Sequence, residues 1–474
     1  MYINGNWGEA SGGGRFGVLN PATGDKITDV PDGGREDAER AIEAASAAFP
    51  DWAAATAYER ARLLNRAWQI MQERKEELAR TMTEELGKPL RAARNEVQYG
   101  ADFLQWYAEE AKRVYGTTIP SARADQRFIV AHQPVGVVAA ITPWNYPISM
   151  ITRKLAPALA AGCTAVLKPA EATPLCAIEM MRILEDAGLP PGVVNLVTAS
   201  DPAPIGEAFV SHPKVRKLTF TGSTAVGRML AGRAAGNMKR VSCELGGHAP
   251  FIVFKDADPV HAAKGAQLVK FLNTGQTCIS PNRLLVHQGL VEPFVETLSE
   301  RVGKMKAGSG FEDGITIGPL VSEAAVVKVE NQVLDATGHG AEVVCGGRRL
   351  TDDGLDGGYF YAPTVLDRVT PEMLIYREET FGPVAPVIAF DDDEALAMAN
   401  DTHYGLAACV YTRDIARAMR MFEGLNFGII GINDINPTSA AAPFGGMKDS
   451  GLGREGGHDG ITEYLETKLG GFSI

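Results

Sequence analysis

The chain has 474 residues, 45% of them hydrophobic and 22% charged, with 46 basic against 58 acidic side chains and a formal net charge of -12. A chain of this length and apolar content buries most of its unfolded surface, which excludes global disorder and suggests roughly three domains. Its 52 glycines follow no G-X-Y period, which excludes collagen, and an acidic balance without a basic patch excludes a nucleic-acid phosphate partner.

Residues 1–7 carry neither a basic stretch nor an apolar run, so no secretory signal is expected. Residues 36–49 and 58–86 read as helices, the second placing Leu63, Ala67, Ile70, Met71, Leu78 and Met82 near one face and stopping at Gly87-Lys88-Pro89. A third helix is expected over 90–115. The longest uncharged stretch, 133–152, is interrupted by Pro134, Pro143, Asn145 and Pro147, which makes a poor lipid-facing helix, so no membrane partner is expected.

From Val135 the pattern becomes alternating strands (135–141, 165–168, 193–197, 215–220) and helices (148–161, 174–187, 224–235). That spacing predicts βαβ units on a parallel sheet, a nucleotide-binding half. After Gly246-Gly247 a second α/β series follows, with strands near 250–254, 283–286, 385–390, 406–411 and 428–432 and helices near 258–273, 291–305 and 414–423. Residues 113–133 and the tail after Gly460 belong to neither series; both are strand-prone and suited to pair with each other or with another subunit. The six cysteines form no CxxC pair and the eight histidines no HExxH, so neither disulfides nor a metal site is expected, and the setting reads as reducing and cytoplasmic.

Cys278, in Asn273-Thr274-Gly275-Gln276-Thr277-Cys278-Ile279-Ser280, is the one thiol in a polar, glycine-containing turn, and so the candidate nucleophile; the alternative is an inert small core residue. Glu244 is a lone acid between a strand and Gly246-Gly247, where partial desolvation suits a general base, or else a satisfied surface carboxylate. The run from Phe220 to Gly227 reads as strand, tight turn and helix start, offering Ser223 and backbone N–H groups to a phosphate, although it is not GxGxxG and a simple capped turn has the same spacing. Lys168 and Glu171 leave another strand where open α/β sheets bind ligands; the alternative is an exposed ion pair. Asn145, in Thr142-Pro143-Trp144-Asn145-Tyr146-Pro147, offers an amide donor to an oxyanion, or the segment is only a rigid proline turn.

Together with Glu379-Thr380-Phe381-Gly382-Pro383 and Pro443-Phe444-Gly445-Gly446, these segments occur in the order seen in the NAD(P)-dependent aldehyde dehydrogenase superfamily, which the chain resembles over essentially its whole length. The resemblance implies an α/β fold with a Rossmann-type NAD-binding domain (1–112 and 134–245), an α/β catalytic domain (246–445) and a strand-rich oligomerisation element (113–133 and 446–474). It implies a homodimer or homotetramer. It casts Cys278 as the nucleophile, Glu244 as the base and Asn145 as the oxyanion donor. Trp144 and Ser223 would contact the cofactor pyrophosphate, Lys168 and Glu171 the adenosine ribose, and Glu379 the nicotinamide ribose, with Phe381 packing nearby. A carboxylate at Glu171 repels a 2'-phosphate, so NAD is expected over NADP.

Within the superfamily the chain is most similar to the succinate-semialdehyde and α-ketoglutarate-semialdehyde branches, through Thr152-Arg153-Lys154, 244–250 and 450–456. An arginine fork suits a distal carboxylate. Arg153 resembles a substrate arginine, with a helix-surface ion pair as its alternative; Arg283 is the candidate second cation, and Thr438 and Ser439 fall in the substrate loop. Leu272 stands where the succinate branch often has another arginine, and Ser280 where some members carry a redox cysteine, which excludes a disulfide there. Oxidation of an uncharged aldehyde on the same scaffold, and a non-catalytic protein, are the competing readings.

Overall fold

The computed structural model describes residues 1–391 and 394–474. Its first sheet has eight strands, with Arg240–Glu244, Val215–Thr221, Val137–Ile141, Thr164–Lys168 and Val194–Leu196 adjacent and parallel, and short antiparallel strands at both edges. Val137–Ile141 reads Val-Val-Ala-Ala-Ile because both faces are covered. Val138 and Ala140 pack with the helices Leu90–Glu110 and Ser149–Ala161, while Val137 and Ala139 pack with Arg35–Ala54 and Ala203–Ser211. Full burial of a Val or Leu is worth about 1.5–3 kcal/mol, whereas strand propensities differ by about 1 kcal/mol, so packing decides this segment despite its alanines.

The second sheet has seven strands, in which Thr364–Asp367, Val384–Phe390, Pro281–His287, Ala249–Val253, Ala407–Tyr411 and Ile429–Ile432 run parallel. Phe251, Leu284 and Val387 face the helices Pro259–Lys270 and Val291–Gly303; Ile252, Leu285 and Ile388 face Glu323–Gly338. That last helix escaped the pattern reading because its core face is built of valines, Val326, Val329 and Val333, which favour strands locally. Among the described residues no helix is long and apolar enough to cross a membrane.

Two boundaries differ from expectation. The 58–86 helix breaks at Arg74 (φ -97°, ψ 16°) into Ala57–Glu73 and Lys75–Leu86, and Arg74 pairs there with Glu77 and Glu179. The 446–474 segment is not wholly a bridging element: Gly451–Leu452 adds to the first sheet beside Cys243 and Glu244, and only Leu465–Ser473 forms a nine-residue ladder with Gln126–Pro134. Gly451 permits this approach, since a Cβ there would lie 1.9 Å from the Cys243 carbonyl oxygen and its φ is 138°.

Chain order positions the site. From Val137–Ile141 the sheet grows one way through Thr164–Lys168, then returns to place Val215–Thr221 on the other side, so the strand order reverses between Val137–Ile141 and Val215–Thr221. A crevice opens at the carboxyl ends of strands flanking such a reversal. Trp144, Asn145, Gly222 and Ser223 leave those ends, and across the crevice stand Cys278, Glu379 and Phe381, each just before a strand of the second sheet.

Candidate active site

Cys278 lies at the joint of two cavities. One, of about 260 Å³, is lined by Trp144, Asn145, Ser223, Gly246, Glu379 and Phe381; the other, of about 380 Å³, includes Tyr99, Arg153, Leu272, Thr438 and Phe444, and Cys278 and Met150 belong to both. The turn carrying the thiol is held in an unusual backbone shape. Asn273, Thr274 and Gly275 have φ of 50°, 59° and 75°, and a Cβ on Gly275 would come within 2.1 Å of the Gly382 carbonyl oxygen. Hydrogen bonds stabilise that shape: Thr274 Oγ1 accepts from the Gly318 N–H at 3.0 Å, and Gln276 Oε1 from the Val321 N–H at 2.9 Å.

Burial pushes the Cys278 thiol up to about 12, with Arg153 favouring the thiolate and the Glu244 charge opposing it. Glu244 ends its strand with the carboxylate buried and neither oxygen hydrogen-bonded, so desolvation, and then the Glu455 charge, hold its pKa well above the usual carboxylate range. Asn145 is buried; its Nδ2 donates to the Gln276 carbonyl at 3.0 Å, which leaves a second amide proton for another acceptor.

In the smaller cavity one Glu379 oxygen accepts from the Gly247 N–H at 2.9 Å, and burial raises this carboxyl to about 7. Phe381, at φ 55°, meets Trp144 edge to face at 5.6 Å between centroids. Ser223 caps Thr224–Ala235 through Oγ, which accepts from the Val226 N–H at 3.4 Å. Lys168 and Glu171 leave the neighbouring strand and are not among the residues lining this cavity. Lys168 is buried, its ammonium 3.2 Å from a Glu171 carboxylate that is half exposed, and desolvation lowers its pKa.

In the larger cavity Arg153 is 1% exposed, which removes the surface-ion-pair alternative. Its guanidinium lies 3.9 Å above the Phe444 ring, Nη2 is ion-paired with Glu455 at 3.0 Å, and Nε has no hydrogen-bond partner. Thr438 lines the same cavity, donating to Asn436 Oδ1 at 2.8 Å. Ser439 is exposed and is not among the lining residues. Arg283 corrects the expectation of a second substrate cation: it is buried within its strand and donates to the Met398 and Ala399 carbonyls at 2.8 Å and to the His248 carbonyl at 3.2 Å. Every one of these acceptors is main chain, so this arginine closes the 398–401 segment and does not line the cavity.

Residues that the motif reading passed over complete the surroundings. Lys154 Nζ lies 2.5 Å from Glu455, and a buried Lys88–Glu96 ion pair underlies the Asn145 turn. Gly87-Lys88-Pro89 registered only as a helix stop. Among the described residues no group of three or more His, Cys, Asp or Glu side chains is placed to hold a metal ion.

The chain is similar to known proteins over almost its whole length. The chain is 51% identical to a succinate-semialdehyde dehydrogenase of Escherichia coli whose name specifies NADP(+), over 98% of this chain and 96% of the relative. It is also 51% identical to a glutarate-semialdehyde dehydrogenase of Pseudomonas aeruginosa, over 99% and 97%. The crystal structure of succinate-semialdehyde dehydrogenase from Burkholderia pseudomallei superposes with a TM-score of 0.98 at 48% identity, covering 100% of this chain and 97% of that one. The aldehyde dehydrogenase family model matches residues 7–469, and the chain belongs to that family of oxidoreductases.

Proposed function

We propose that the protein oxidises a semialdehyde bearing a distal carboxylate to the dicarboxylate, using a nicotinamide dinucleotide. The observation that carries this reading is the position of Cys278 between a cleft suited to a nucleotide and a cavity lined by one buried arginine, whose Nε has no hydrogen-bond partner. The Cys278 thiol releases its proton to solvent as its sulfur bonds to the aldehyde carbon, and the resulting oxyanion is stabilised by the free Asn145 amide proton and the Cys278 main-chain N–H. Trp144, Ser223, Glu379 and Phe381 would hold a nicotinamide dinucleotide, which would supply the hydride acceptor for that carbon. Glu244 then takes a proton from water, which cleaves the thioester and restores the thiol.

The smaller cleft fits the dinucleotide on its own geometry. The capped start of Thr224–Ala235 suits a pyrophosphate, and Trp144 and Phe381 form an aromatic wall. Gly246 keeps the approach open, because a Cβ there would lie 3.0 Å from Glu379 Oε2. The Glu379 oxygen left over from Gly247 is available to a ribose hydroxyl, and Lys168 and Glu171, at the end of the neighbouring strand, would meet the adenosine ribose by the family resemblance.

NAD remains the preferred nucleotide in this reading, but Glu171 biases the choice and does not bar the 2'-phosphate. Lys168 offsets part of its charge at 3.2 Å, its exposure screens the rest, and two relatives, of Escherichia coli and Sinorhizobium fredii, carry NADP(+) in their names. Glu171→Ser is expected to shift the NADP-to-NAD ratio of kcat/KM toward NADP by about 10-fold, about 1.4 kcal/mol of removed repulsion. An unchanged ratio in initial-rate measurements would place Glu171 away from the ribose.

For the substrate, Arg153→Met is expected to lower kcat/KM for succinate semialdehyde relative to propanal by about 10–100-fold, the worth of a charge-assisted hydrogen bond of about 1.5–3 kcal/mol. Taking the ratio cancels the effect of Arg153 on Cys278 and Glu244. If propanal or benzaldehyde outperforms succinate, glutarate and α-ketoglutarate semialdehydes in the wild type, the cavity serves uncharged aldehydes, with Leu272 and Phe444 as its apolar wall. We further propose a homo-oligomer assembled through the edge strand Leu465–Ser473, where Leu469 and Phe472 are exposed.

A further inference from the structure

We propose that Lys88 and Glu96 are positioning residues for the oxyanion donor, a role that rests on the reading of Asn145 given above. Lys88 follows Gly87, whose φ of 73° ends the helix Lys75–Leu86, and Glu96 lies two turns into the helix Leu90–Glu110. The two side chains are each 1% exposed and form an ion pair. An ion pair this deeply buried seldom adds net stability, because desolvating both charges costs about as much as their attraction returns. Its presence calls for a geometric explanation, and its remaining contacts supply one.

Lys88 Nζ donates to the Asn145 carbonyl at 2.9 Å and sits 3.9 Å from the centre of the Tyr146 ring. Glu96 Oε1 accepts from the Ile148 and Ser149 N–H groups at 3.1 and 3.3 Å, where the helix Ser149–Ala161 begins. The pair therefore grips the turn 145–149 at both ends. At one end is the amide that serves the oxyanion, and at the other the first turn of the helix that carries Arg153. Asn273 Nδ2 also donates to the Asn145 carbonyl, at 3.0 Å, and to the Gln276 carbonyl at 3.3 Å, which ties the same turn to the nucleophile loop. Lys88 and Glu96 line the larger cavity, but their polar atoms are committed to each other and to this main chain. They act through Asn145.

Misplacing a reacting group by about 1 Å costs about 100-fold in rate, and losing one oxyanion donor about 100–1,000-fold. Lys88→Met is expected to lower kcat about 100-fold while KM for the semialdehyde and the Kd for NAD each change less than about 3-fold. Hydrolysis of p-nitrophenyl acetate by Cys278, which needs no nucleotide, should fall in parallel. Because Lys88→Met strands the Glu96 charge, the double variant Lys88→Met, Glu96→Leu is made alongside it. Its Tm should recover toward wild type while kcat stays low, since the Asn145 carbonyl still lacks the Lys88 ammonium and is held by Asn273 alone. Recovery of kcat together with Tm, or wild-type kcat in Lys88→Met, would overturn the proposal. A wild-type protein without aldehyde-dependent NADH formation would instead overturn the functional reading beneath it.

Discussion

Replacing Cys278 with alanine is expected to reduce aldehyde-dependent formation of the reduced nucleotide by about 10,000-fold or more, because every bond made to the substrate carbon before hydride departure involves this sulfur. No other thiol can take over. None of Cys163, Cys176, Cys243, Cys345 and Cys409 lines either cavity, and burial raises all five, Cys163 and Cys243 to about 11 and Cys409 to about 12. Binding of NAD should persist within a few-fold. The Ser223 cap, Glu379 and the Trp144–Phe381 wall are untouched, and the truncation removes one atom from a cavity of about 260 Å³. Absorbance at the NADH band together with a fluorescence titration of NAD tests both halves. Activity within tenfold of wild type would remove the nucleophile, and loss of nucleotide binding would show that the substitution collapsed the cleft.

Glu244→Gln should separate the two halves of the reaction. Steady-state turnover is expected to fall about 100–10,000-fold, the usual worth of a positioned base, while the first turnover still yields a burst of reduced nucleotide, since hydride leaves before water is activated. Stopped-flow absorbance distinguishes this from a uniform loss of rate, which would assign Glu244 to an earlier step. In the wild type the hydrolytic step requires the carboxylate form. Its rate should therefore rise with pH along a limb displaced above the usual carboxylate range, in the direction set by burial without a hydrogen-bond partner.

The same shift has a consequence for stability. Glu244 binds its proton more tightly in the folded state than in the unfolded chain, so its contribution is fully present below the ordinary carboxylate pKa and is lost as pH rises toward the folded value. A neutral glutamine escapes that loss, and Glu244→Gln should raise Tm at pH 8 by more than at pH 5. Equal Tm differences at the two pH values in a thermal melt would show that this carboxyl is not strained by burial.

Local pattern was informative wherever one stretch of chain contains its own physical reason. Alternating strand and helix signals from Val135 onward gave the parallel sheet, and the polar, glycine-bearing setting of Cys278 set that thiol apart from Cys163, Cys345 and Cys409, which sit beside apolar runs. The 58–86 helix shows where such reading stops: its apolar spacing continues through Arg74, and the break there coincides with the ion pair to Glu179, more than a hundred residues away. Arg153 and Arg283 show the same limit in the site. Both are lone arginines beside motif residues, and both were candidate clamps for a carboxylate. Arg153 lines a cavity beside Cys278, whereas Arg283 lies outside it and faces main-chain carbonyls of the 398–401 segment.

The sequence by itself determined the family and the alternation that builds the two sheets, and it singled out the thiol, the acid and the amide proposed for the chemistry, because these depend on residue type, spacing and order along the chain. Tertiary structure alone decided which charges are free to meet a substrate. It also decided that Glu244 is an unpartnered buried acid and that Lys88, apparently a helix stop, reaches the Asn145 carbonyl 57 residues away. The availability of a charge or a donor depends on what else faces it, and those partners come from segments whose separation along the chain carries no record of their contact.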